Sequence, residues 1–261
     1  AVEWRVINAA DYGMPQRRRR IFFLGYHKST LVCEKLTHKS PKEWLLEGGT
    51  ITSSFPVKQK GALHSFSLEN DLVSLSKAFN LGKGLSPFYN SGVCFNGEVH
   101  TLSILPDYHG AQATLSDILE NQKPESEFYI PEDDIPKWEY LKGAKKEIRK
   151  TKEGFAYHYS EGSMVFPDAL DQPSRTIITG EGGKSPSRFK HVVQTSSGLR
   201  RLTPLELERL NQFPDNHTQL EGISNTKRAF FMGNALVVGV VEKLGDALFQ
   251  KIKTLEKQFQ N

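Results

Sequence analysis

The chain has 261 residues, of which 38% are hydrophobic and 25% charged, and its formal net charge is +4. This composition is typical of a soluble globular protein and excludes a wholly disordered or fibrous chain, while apolar runs much shorter than about 20 residues exclude a membrane-spanning helix. Two cysteines, no secretory signal and no paired metal-ligand motif predict a cytoplasmic protein without a disulfide framework, a membrane partner or a metal site.

The first segment, residues 1–27, is predicted to form a strand, a turn and a second strand. Residues 3–9 alternate loosely between apolar and polar side chains, residues 11–15 have turn composition, and residues 21–24 are fully apolar. Because two strands cannot build a core alone, we expect them to join a larger sheet. The sequence starts with Ala1 inside a predicted strand, so we expect it to be the C-terminal piece of a longer protein.

Four consecutive arginines, Arg17 to Arg20, stand directly before the second strand. Because alternate residues of a strand face opposite sides, Arg18 and Arg20 are expected on one face and Arg17 and Arg19 on the other. Two parallel guanidinium groups suit a phosphate or the planar edge of a base. A solvated basic surface loop is the alternative interpretation.

The second segment, residues 28–199, is irregular and rich in glycine, serine and proline, which indicates a loop-rich domain of mixed α and β structure. Short strands are predicted at residues 92–95, 155–159 and 175–179. Helices are predicted at residues 68–79, 115–121 and 131–150.

A loop rich in glycine, serine and basic residues follows the last of these predicted strands. Such a loop lets the backbone approach a nucleic acid while arginine and lysine side chains meet phosphates or guanine. The candidate DNA-binding residues in and beside it are Arg175, Gly182, Lys184, Ser187 and Arg188. A flexible hairpin loop without a ligand is the alternative.

The third segment, residues 200–261, is predicted to be helical. Thr203, Pro204 and Glu206 have the types and spacing of an N-cap residue and of the first and third residues of a helix. A second short helix is predicted at residues 226–232.

A long helix is predicted from about residue 235 to residue 258, directly after Gly233 and Asn234. The unpaired amides at such a helix start could hold a carboxylate or a phosphate. A plain asparagine N-cap is the alternative.

Three separated motifs resemble those of the DNA cytosine-5 methyltransferases, and they follow the family's order. Residues 8–22 resemble the Gln-x-Arg-x-Arg motif, numbered eighth of ten, and residues 201–215 resemble the ninth, with Asn211 where glutamine is commoner. Residues 233–238 resemble the tenth motif. Between the eighth and ninth motifs the family carries a variable target-recognition domain, whose Thr-Leu/Ile signature residues 173–179 resemble.

The resemblance implies an α/β architecture with two parts. Residues 1–27 and 200–261 would form the remnant of a Rossmann-like sheet of a methyltransferase dependent on S-adenosylmethionine. Residues 28–199 would form a mixed, loop-rich target-recognition domain, set apart from that remnant across a cleft for double-stranded DNA.

The resemblance also implies roles for particular residues. In the family, a cysteine thiolate attacks C6 of a cytosine flipped out of the duplex, and C5 then takes the methyl group of S-adenosylmethionine. Arg20 would contact O2 of the flipped base, Arg18 would support that site, and Asn234 and Ala235 would lie beside the cofactor.

Two further residues are implied at the DNA interface, and three in bracing the recognition domain. Thr176 would touch backbone near the flipped base, and Gln16 joins the candidate DNA-binding set. Arg201, Glu206 and Arg209 belong to the ninth motif and are expected to be structural.

The chain also departs from the family pattern. It has no Phe-x-Gly-x-Gly cofactor loop, no Pro-Cys nucleophile motif and no Glu-Asn-Val motif, and neither Cys33 nor Cys94 follows a proline. We therefore expect it to be inactive alone and to need an N-terminal catalytic half, in the same longer chain or in a separate subunit. The alternatives are an inactive DNA-recognition module derived from such an enzyme and an unrelated RNA-binding protein.

The family further suggests a bacterial setting. We expect a nucleoid-associated protein of the cytoplasm, acting in restriction and modification.

Overall fold

The computed structural model describes residues 1–68, 71–78 and 86–259. Its strands are β1 (Val2–Asn8), β2 (Arg19–Gly25), β3 (Val57–Ser67), β4 (Ser91–Phe95), β5 (Glu98–Pro106), β6 (Lys145–Lys150), β7 (Ala156–Glu161), β8 (Val192–Thr195) and β9 (Gly198–Arg201). Its α-helices are α1 (Leu31–His38), α2 (Pro41–Glu43), α3 (Thr50–Ser54), α4 (Leu72–Ala78), α5 (Ile135–Lys142), α6 (Pro204–Leu210), α7 (Asn225–Asn234) and α8 (Val238–Phe259). A π-helical turn spans Trp44–Gly48, and short 3-10 turns span Ala9–Tyr12, Ser116–Ile118, Ser126–Phe128 and Glu132–Asp134.

The chain divides into two compact units, each built from separated stretches of sequence. Unit 1 consists of Ala1–Gly13, Arg19–Ala111 and Gly239–Asn261. Unit 2 consists of Met14–Arg18 and Gln112–Val238. The predicted segment 28–199 therefore contributes to both units, and residues 200–238 share unit 2 with its second part. The role of residues 28–199 in target recognition stays a prediction.

Unit 1 contains a five-stranded sheet with the order β2-β1-β4-β5-β3. Every strand pair in it is antiparallel. The chain has the predicted mixture of helices and strands. However, the parallel pairing of a Rossmann-like sheet is limited, among the described residues, to an isolated bridge between Gln16 and Ser174 in unit 2. The difference arises because β4 and β5 form a tight hairpin that pairs with β1 and β3.

The two strands predicted in the first segment are confirmed, but the second is less buried than expected. Strand β2 lies at an edge of the sheet, and Ile21 and Phe23 are 50% and 61% exposed. An apolar run can therefore lie on an uncovered edge strand, and its composition alone does not show that it is buried.

Strand β1 is tied to the helical layer of unit 1 by two buried charged side chains. The Arg5 guanidinium donates to the carbonyls of Phe55 and Leu45 and to the Thr52 hydroxyl, at 2.8–2.9 Å. The Glu3 carboxylate accepts from the Tyr26 hydroxyl, the Trp44 indole and the Ile51 amide. Hydrogen bonding of this kind offsets the cost of burying charge. The apolar core around them includes Val32, Leu36, Leu45, Val93, Leu102 and Leu255.

Unit 2 combines two hairpins, β6–β7 and β8–β9, with helices α5 to α7. Its main apolar core joins Leu115, Ile118, Ile177, Val193, Leu202, Leu207, Leu210, Ala229 and Met232. The predicted capping box is confirmed, because Thr203 accepts from the Glu206 amide and the Glu206 carboxylate accepts from the Thr203 amide. Pro204 begins helix α6 as expected.

Four predicted elements of unit 2 were wrong in whole or in part. Residues 175–179 form no strand, and of residues 115–121 only Ser116–Ile118 are helical, as a 3-10 turn. Residues 131–150 split into α5 and strand β6, because Gly143 ends the helix. Gly233 and Asn234 end helix α7 and do not begin the next one.

In unit 1, the predicted helix 68–79 corresponds to α4, although residues 69, 70 and 79 lie outside the described residues. No helix formed by the described residues is long and apolar enough to cross a membrane.

Candidate functional site

Gln16 lies at the centre of a buried hydrogen-bonded node in unit 2. Its amide nitrogen donates to Asn211 Oδ1 at 3.0 Å and to the Leu210 carbonyl at 3.2 Å. Its amide oxygen accepts from the Ile177 amide at 3.1 Å. Asn211 in turn donates to the Met232 carbonyl at 2.8 Å. Gln16 is fully buried, so it lies in the interior and not on a surface open to DNA.

Arg18 joins the same node from the eighth motif. Its guanidinium donates to the Gly233 carbonyl at 2.9 Å and to the Ile177 carbonyl at 3.4 Å, and the side chain is only 3% exposed. Charge-assisted bonds of this kind fix the relative positions of the segments that carry the acceptors. Arg18 therefore holds residues 177 and 233 in place, and its role in supporting the site of a flipped base stays a prediction.

The predicted strand around Thr176 is replaced by a short extended pairing with residues 15–17. The Ser174 amide donates to the Pro15 carbonyl, and the Arg17 amide donates to the Ser174 carbonyl, both at 2.8 Å. The Thr176 hydroxyl donates to the Arg17 carbonyl. Thr176 thus contacts protein backbone directly beside the arginine run.

The run of four arginines is divided by the fold. Arg18 is buried, whereas Arg17, Arg19 and Arg20 are exposed. Strand β2 begins at Arg19, so Arg18 and Arg20 do not share a strand face as predicted. The Arg20 guanidinium donates only to the neighbouring Arg19 carbonyl among the described residues, which leaves most of its donors free for a ligand.

A cavity of about 420 Å³ in unit 1 lies beside Arg19. Its polar lining includes Asn8, Asp11, Lys60 and Asn90. The sequence analysis did not predict this cavity, because strands β3 and β5 supply much of its wall from distant parts of the chain.

Arg175 is held by an internal ion pair. Its guanidinium donates to both oxygens of Asp168, at 2.7 and 3.1 Å, and to the Phe189 carbonyl at 3.0 Å. Burial alone would raise the pKa of Asp168, but the bonds from Arg175, the nearby His191 and the Val192 amide hold that pKa below its ordinary value. These contacts leave Arg175 little donor capacity for a base.

Arg188 is also used within the protein. It donates to the Leu141 and Gly143 carbonyls at 3.1 and 3.2 Å, donates to the Gly162 carbonyl, and lies 3.3 Å from a carboxylate oxygen of Glu161. The side chain is only 15% exposed. Arg188 therefore links helix α5 to hairpin β6–β7.

The other loop candidates differ in their exposure. Lys184 is 72% exposed and forms a single ion pair with Glu127 at 3.1 Å. Gly182 packs against α7, where a Cβ would lie 2.7 Å from the Thr226 Cα. The Ser187 hydroxyl accepts from the Phe189 amide at 3.3 Å. Of these three residues, only Lys184 offers an exposed charge.

Residues 233–235 do not present the amide-lined anion site that was predicted. They lie at the C-terminal end of α7, where the helix dipole is negative and the groups without an intrahelical partner are carbonyls, of which that of Gly233 accepts from Arg18. The Asn234 amide donates back to the Phe230 carbonyl at 3.0 Å, and Ala235 is the C-cap residue. The segment therefore lacks the amide-lined site for a carboxylate or a phosphate, and the position of Asn234 and Ala235 beside the cofactor stays a prediction.

Gly233 itself is required by a close approach of two backbones. A Cβ at this position would lie 2.5 Å from both the N and Cα atoms of Thr179. We predict that Gly233→Ala lowers the free energy of unfolding by about 1–3 kcal/mol, because the backbone would have to shift. Gly245→Ala is the matched control, since its Cβ meets nothing within 4 Å in helix α8 and alanine is the better helix former. Urea unfolding of both variants measures the difference, and equal effects would contradict the steric argument.

A buried Ser174–His191–Glu181 chain went unnoticed in the sequence. Ser174 Oγ lies 3.1 Å from His191 Nε2, and His191 Nδ1 lies 3.0 Å from Glu181 Oε1. The order of the three residues matches the nucleophile, base and acid of a catalytic triad. However, all three residues are 3% exposed or less, and the serine hydroxyl donates to the Arg175 carbonyl. This series of three hydrogen-bonded side chains is therefore structural. A single histidine without a spaced partner gave no sequence signal for it.

The two cysteines show no sign of activation. Cys33 is buried and Cys94 is half-buried, and burial raises the pKa of the Cys94 thiol. Among residues 1–68, 71–78 and 86–259, no group of three histidine, cysteine or acidic side chains is placed to hold a metal ion.

The chain is similar in sequence to known DNA methyltransferases. The family model for C-5 cytosine-specific DNA methylases matches residues 1–250. The type II methyltransferase M.Sau3AI of Staphylococcus aureus is 40% identical over 258 residues, and the match covers 97% of this chain. The type II methyltransferase M.NlaIV of Neisseria lactamica is 43% identical over 60 residues, which are 23% of this chain and 14% of that protein.

This chain spans only 60% of the length of M.Sau3AI. Among solved structures, the S. pombe Dnmt2 methyltransferase has 17% sequence identity and a TM-score of 0.39, and the overlap covers 60% of this chain and 51% of that one. A TM-score this low does not assign a fold. The family match, which covers nearly the whole chain, shows that the protein belongs to the C-5 cytosine-specific DNA methylases.

Proposed function

We propose that this chain is the DNA-recognising part of a DNA cytosine-5 methyltransferase. It would bind a short site in double-stranded DNA, and the Arg20 guanidinium would donate a hydrogen bond to O2 of a flipped cytosine. The nucleophilic cysteine and most contacts to S-adenosylmethionine would come from an N-terminal part outside these 261 residues, in the same polypeptide or in a separate subunit. On this proposal, the 261 residues alone are inactive.

The observation that carries the proposal is that Arg18 and Arg20, two residues of the arginine run, differ in their burial and contacts. Arg18 is committed to holding the Ile177 and Gly233 carbonyls, whereas Arg20 is exposed and has most of its donors free. A guanidinium offers up to five N–H donors in a planar fork, and Arg20 is the second residue of strand β2. That combination suits a donor for the carbonyl oxygen of a base.

The contacts of the loop residues support distinct roles in DNA binding. We assign a phosphate contact to the exposed Lys184 and a backbone-ordering role to Thr176 beside residues 15–17. Arg175, Arg188 and Gln16 are bonded to the protein itself. We assign these three residues to positioning the recognition surface. We assign Gly182 and Ser187 to ordering the loop, through their contacts with helix α7 and with the Phe189 amide.

S-adenosylmethionine is the methyl donor that the family uses. Asn234 and Ala235 remain candidates for lying beside it on the strength of the tenth motif. They lie at the C-terminal end of helix α7, and we assign them no role beyond proximity to the cofactor.

The relatives support the biological setting. M.Sau3AI and M.NlaIV are type II methyltransferases of bacteria. We propose that this protein likewise acts in restriction and modification, in the bacterial cytoplasm and on nucleoid DNA.

The proposal is tested by transfer of a labelled methyl group from S-adenosylmethionine to unmethylated duplex DNA. The assay compares this chain alone with the chain extended by its native upstream coding sequence. We expect transfer only from the extended form, because the catalytic thiolate is absent from the 261 residues. Cys33→Ala and Cys94→Ala in the extended form are the controls, and both should keep full activity.

Two outcomes would contradict the proposal. Transfer by the chain alone would refute the missing nucleophile. Failure of the extended form both to transfer methyl groups and to bind duplex DNA would refute the function as a whole.

A further inference from the structure

Hairpin β6–β7 is a two-stranded ribbon that pairs with no other described strand. Its register sets Lys145 opposite Glu161 and Lys150 opposite Ala156. Because directly opposed residues of an antiparallel pair share a face, the ribbon has two distinct sides. The paired face carries Lys145, Glu147, Arg149, Tyr157, Tyr159 and Glu161. The basic face carries Lys146, Ile148, Lys150, Ala156, His158 and Ser160.

The charges of the paired face neutralise one another. Lys145 lies 3.5 Å from Glu161, and the Arg149 guanidinium donates to Glu147 at 3.1 Å. The Arg149 guanidinium also stacks over the Tyr159 ring at 3.4 Å. Two cations and two anions therefore balance on this face, and it leaves no net charge for a partner.

The basic face is built differently. Lys146 and Lys150 are exposed, the face has no acidic residue, and neither lysine has an ion-pair partner among the described residues. Ile148 lies between them and is 69% exposed. A positive strip with an exposed aliphatic residue at its centre is complementary to an anionic surface that also offers apolar groups.

The base of the ribbon is anchored firmly enough to present that face. Arg188 bridges the ribbon to helix α5 through Glu161 and the Leu141 and Gly143 carbonyls. The Met164 amide donates to the Lys142 carbonyl at 2.8 Å. An isolated two-stranded hairpin is only marginally stable, so these contacts give the ribbon a fixed origin.

We infer that the basic face of hairpin β6–β7 docks in the major groove of duplex DNA, with Lys146 and Lys150 on phosphates and Ile148 against base edges. The inference rests on the proposed function and adds a contact surface to it. A ribbon of two strands about 4.8 Å apart fits a major groove about 12 Å wide. The two lysines are four residues apart and span about 13 Å, roughly four base-pair steps of 3.4 Å. The thymine methyl group is the apolar contact that the groove offers to Ile148.

The test measures duplex binding by the extended enzyme as a function of salt concentration. Each phosphate contact contributes about 0.9 to the slope of log affinity against log salt. We expect the double variant Lys146→Gln and Lys150→Gln to reduce the magnitude of that slope by about 2 and to weaken binding about tenfold or more near 0.1 M salt. Lys137→Gln is the matched control, because Lys137 is an exposed lysine of the neighbouring helix α5. It should leave the slope nearly unchanged.

The possible outcomes separate the inference from the proposed function. If the wild-type enzyme binds duplex DNA and transfers methyl groups while the double variant keeps the wild-type slope, the inference fails and the function stands. If the wild-type enzyme does not bind duplex DNA, both fail. A double variant that changes sedimentation behaviour and leaves the salt slope alone would mark the basic face as a protein-docking surface and would overturn the inference.

Discussion

Arg20→Ala in the extended enzyme is expected to lower the rate of methyl transfer by about 100-fold or more, while the Kd for duplex DNA changes less than about threefold. A fixed, charged donor that contacts a reacting group typically contributes a factor of this size to the chemical step. The Arg20 side chain is exposed and, among the described residues, bonds only to the Arg19 carbonyl. Its removal therefore leaves no buried group unpaired, and the variant should fold normally.

Arg17→Ala is the matched control for this prediction. It removes the same charge from the same run, and its side chain is also exposed. We expect a small loss of affinity at low salt and no loss in the rate at saturating DNA. Single-turnover assays with labelled S-adenosylmethionine, together with fluorescence anisotropy of labelled DNA, separate the two effects. Equal losses of binding and transfer in the Arg20 variant, or equal effects of the two variants, would remove Arg20 from the cytosine site.

The local signals in the sequence predicted local structure well. Thr203, Pro204 and Glu206 lie within four residues of one another, and the capping box depends only on that spacing. The first strand, predicted at residues 3–9 from a loose alternation of residue types, forms at Val2–Asn8, although its burial does not alternate because Glu3 and Arg5 are buried as well. In both cases the determining contacts are near in sequence, so a pattern of residue types suffices.

The secondary-structure predictions that were wrong share a different cause. Gly233 and Asn234 have the composition of a helix start, but they end helix α7, and Arg18 bonds to the Gly233 carbonyl from 215 residues away. Residues 175–179 look like a strand, but Thr176 and Ile177 contact residues 16 and 17 only through single side-chain bonds, and the backbone pairing is confined to Ser174. A partner so distant in sequence leaves no periodic trace, so tertiary contacts decided these elements.

The candidate site shows the same division. Residues of three separated motifs, Gln16 and Arg18, Asn211, and Gly233, meet in one hydrogen-bonded node, although the resemblance itself did not predict these contacts. It could not distinguish residues that hold the protein together from residues that face a ligand. The structure adds their burial, since Gln16 and Arg18 are buried and Arg20 is exposed, and our proposed roles follow that difference.

The buried Arg200–Glu206 pair should dominate the stability of unit 2. Glu206 is fully buried and accepts from both terminal nitrogens of Arg200, at 2.6 and 2.7 Å, and from the amides of Thr203 and Glu120. We predict that Glu206→Ala lowers the free energy of unfolding by about 3–5 kcal/mol, because it removes the carboxylate partner of the buried Arg200, leaves that guanidinium bonded to the Arg201 carbonyl alone among the described residues, and leaves two amides without an acceptor. Urea denaturation followed by circular dichroism measures the loss.

Two comparisons make the stability prediction specific. Asp215→Ala breaks the pair between Arg209 and Asp215, whose side chains are 30% and 50% exposed. Because exposed pairs contribute little, this variant should cost less than about 1 kcal/mol. The double variant Arg200→Met and Glu206→Leu should recover much of the stability lost in Glu206→Ala, since it removes the stranded charge together with its partner. If Glu206→Ala and Asp215→Ala cost the same, burial of the charge is not what makes the Arg200–Glu206 pair important.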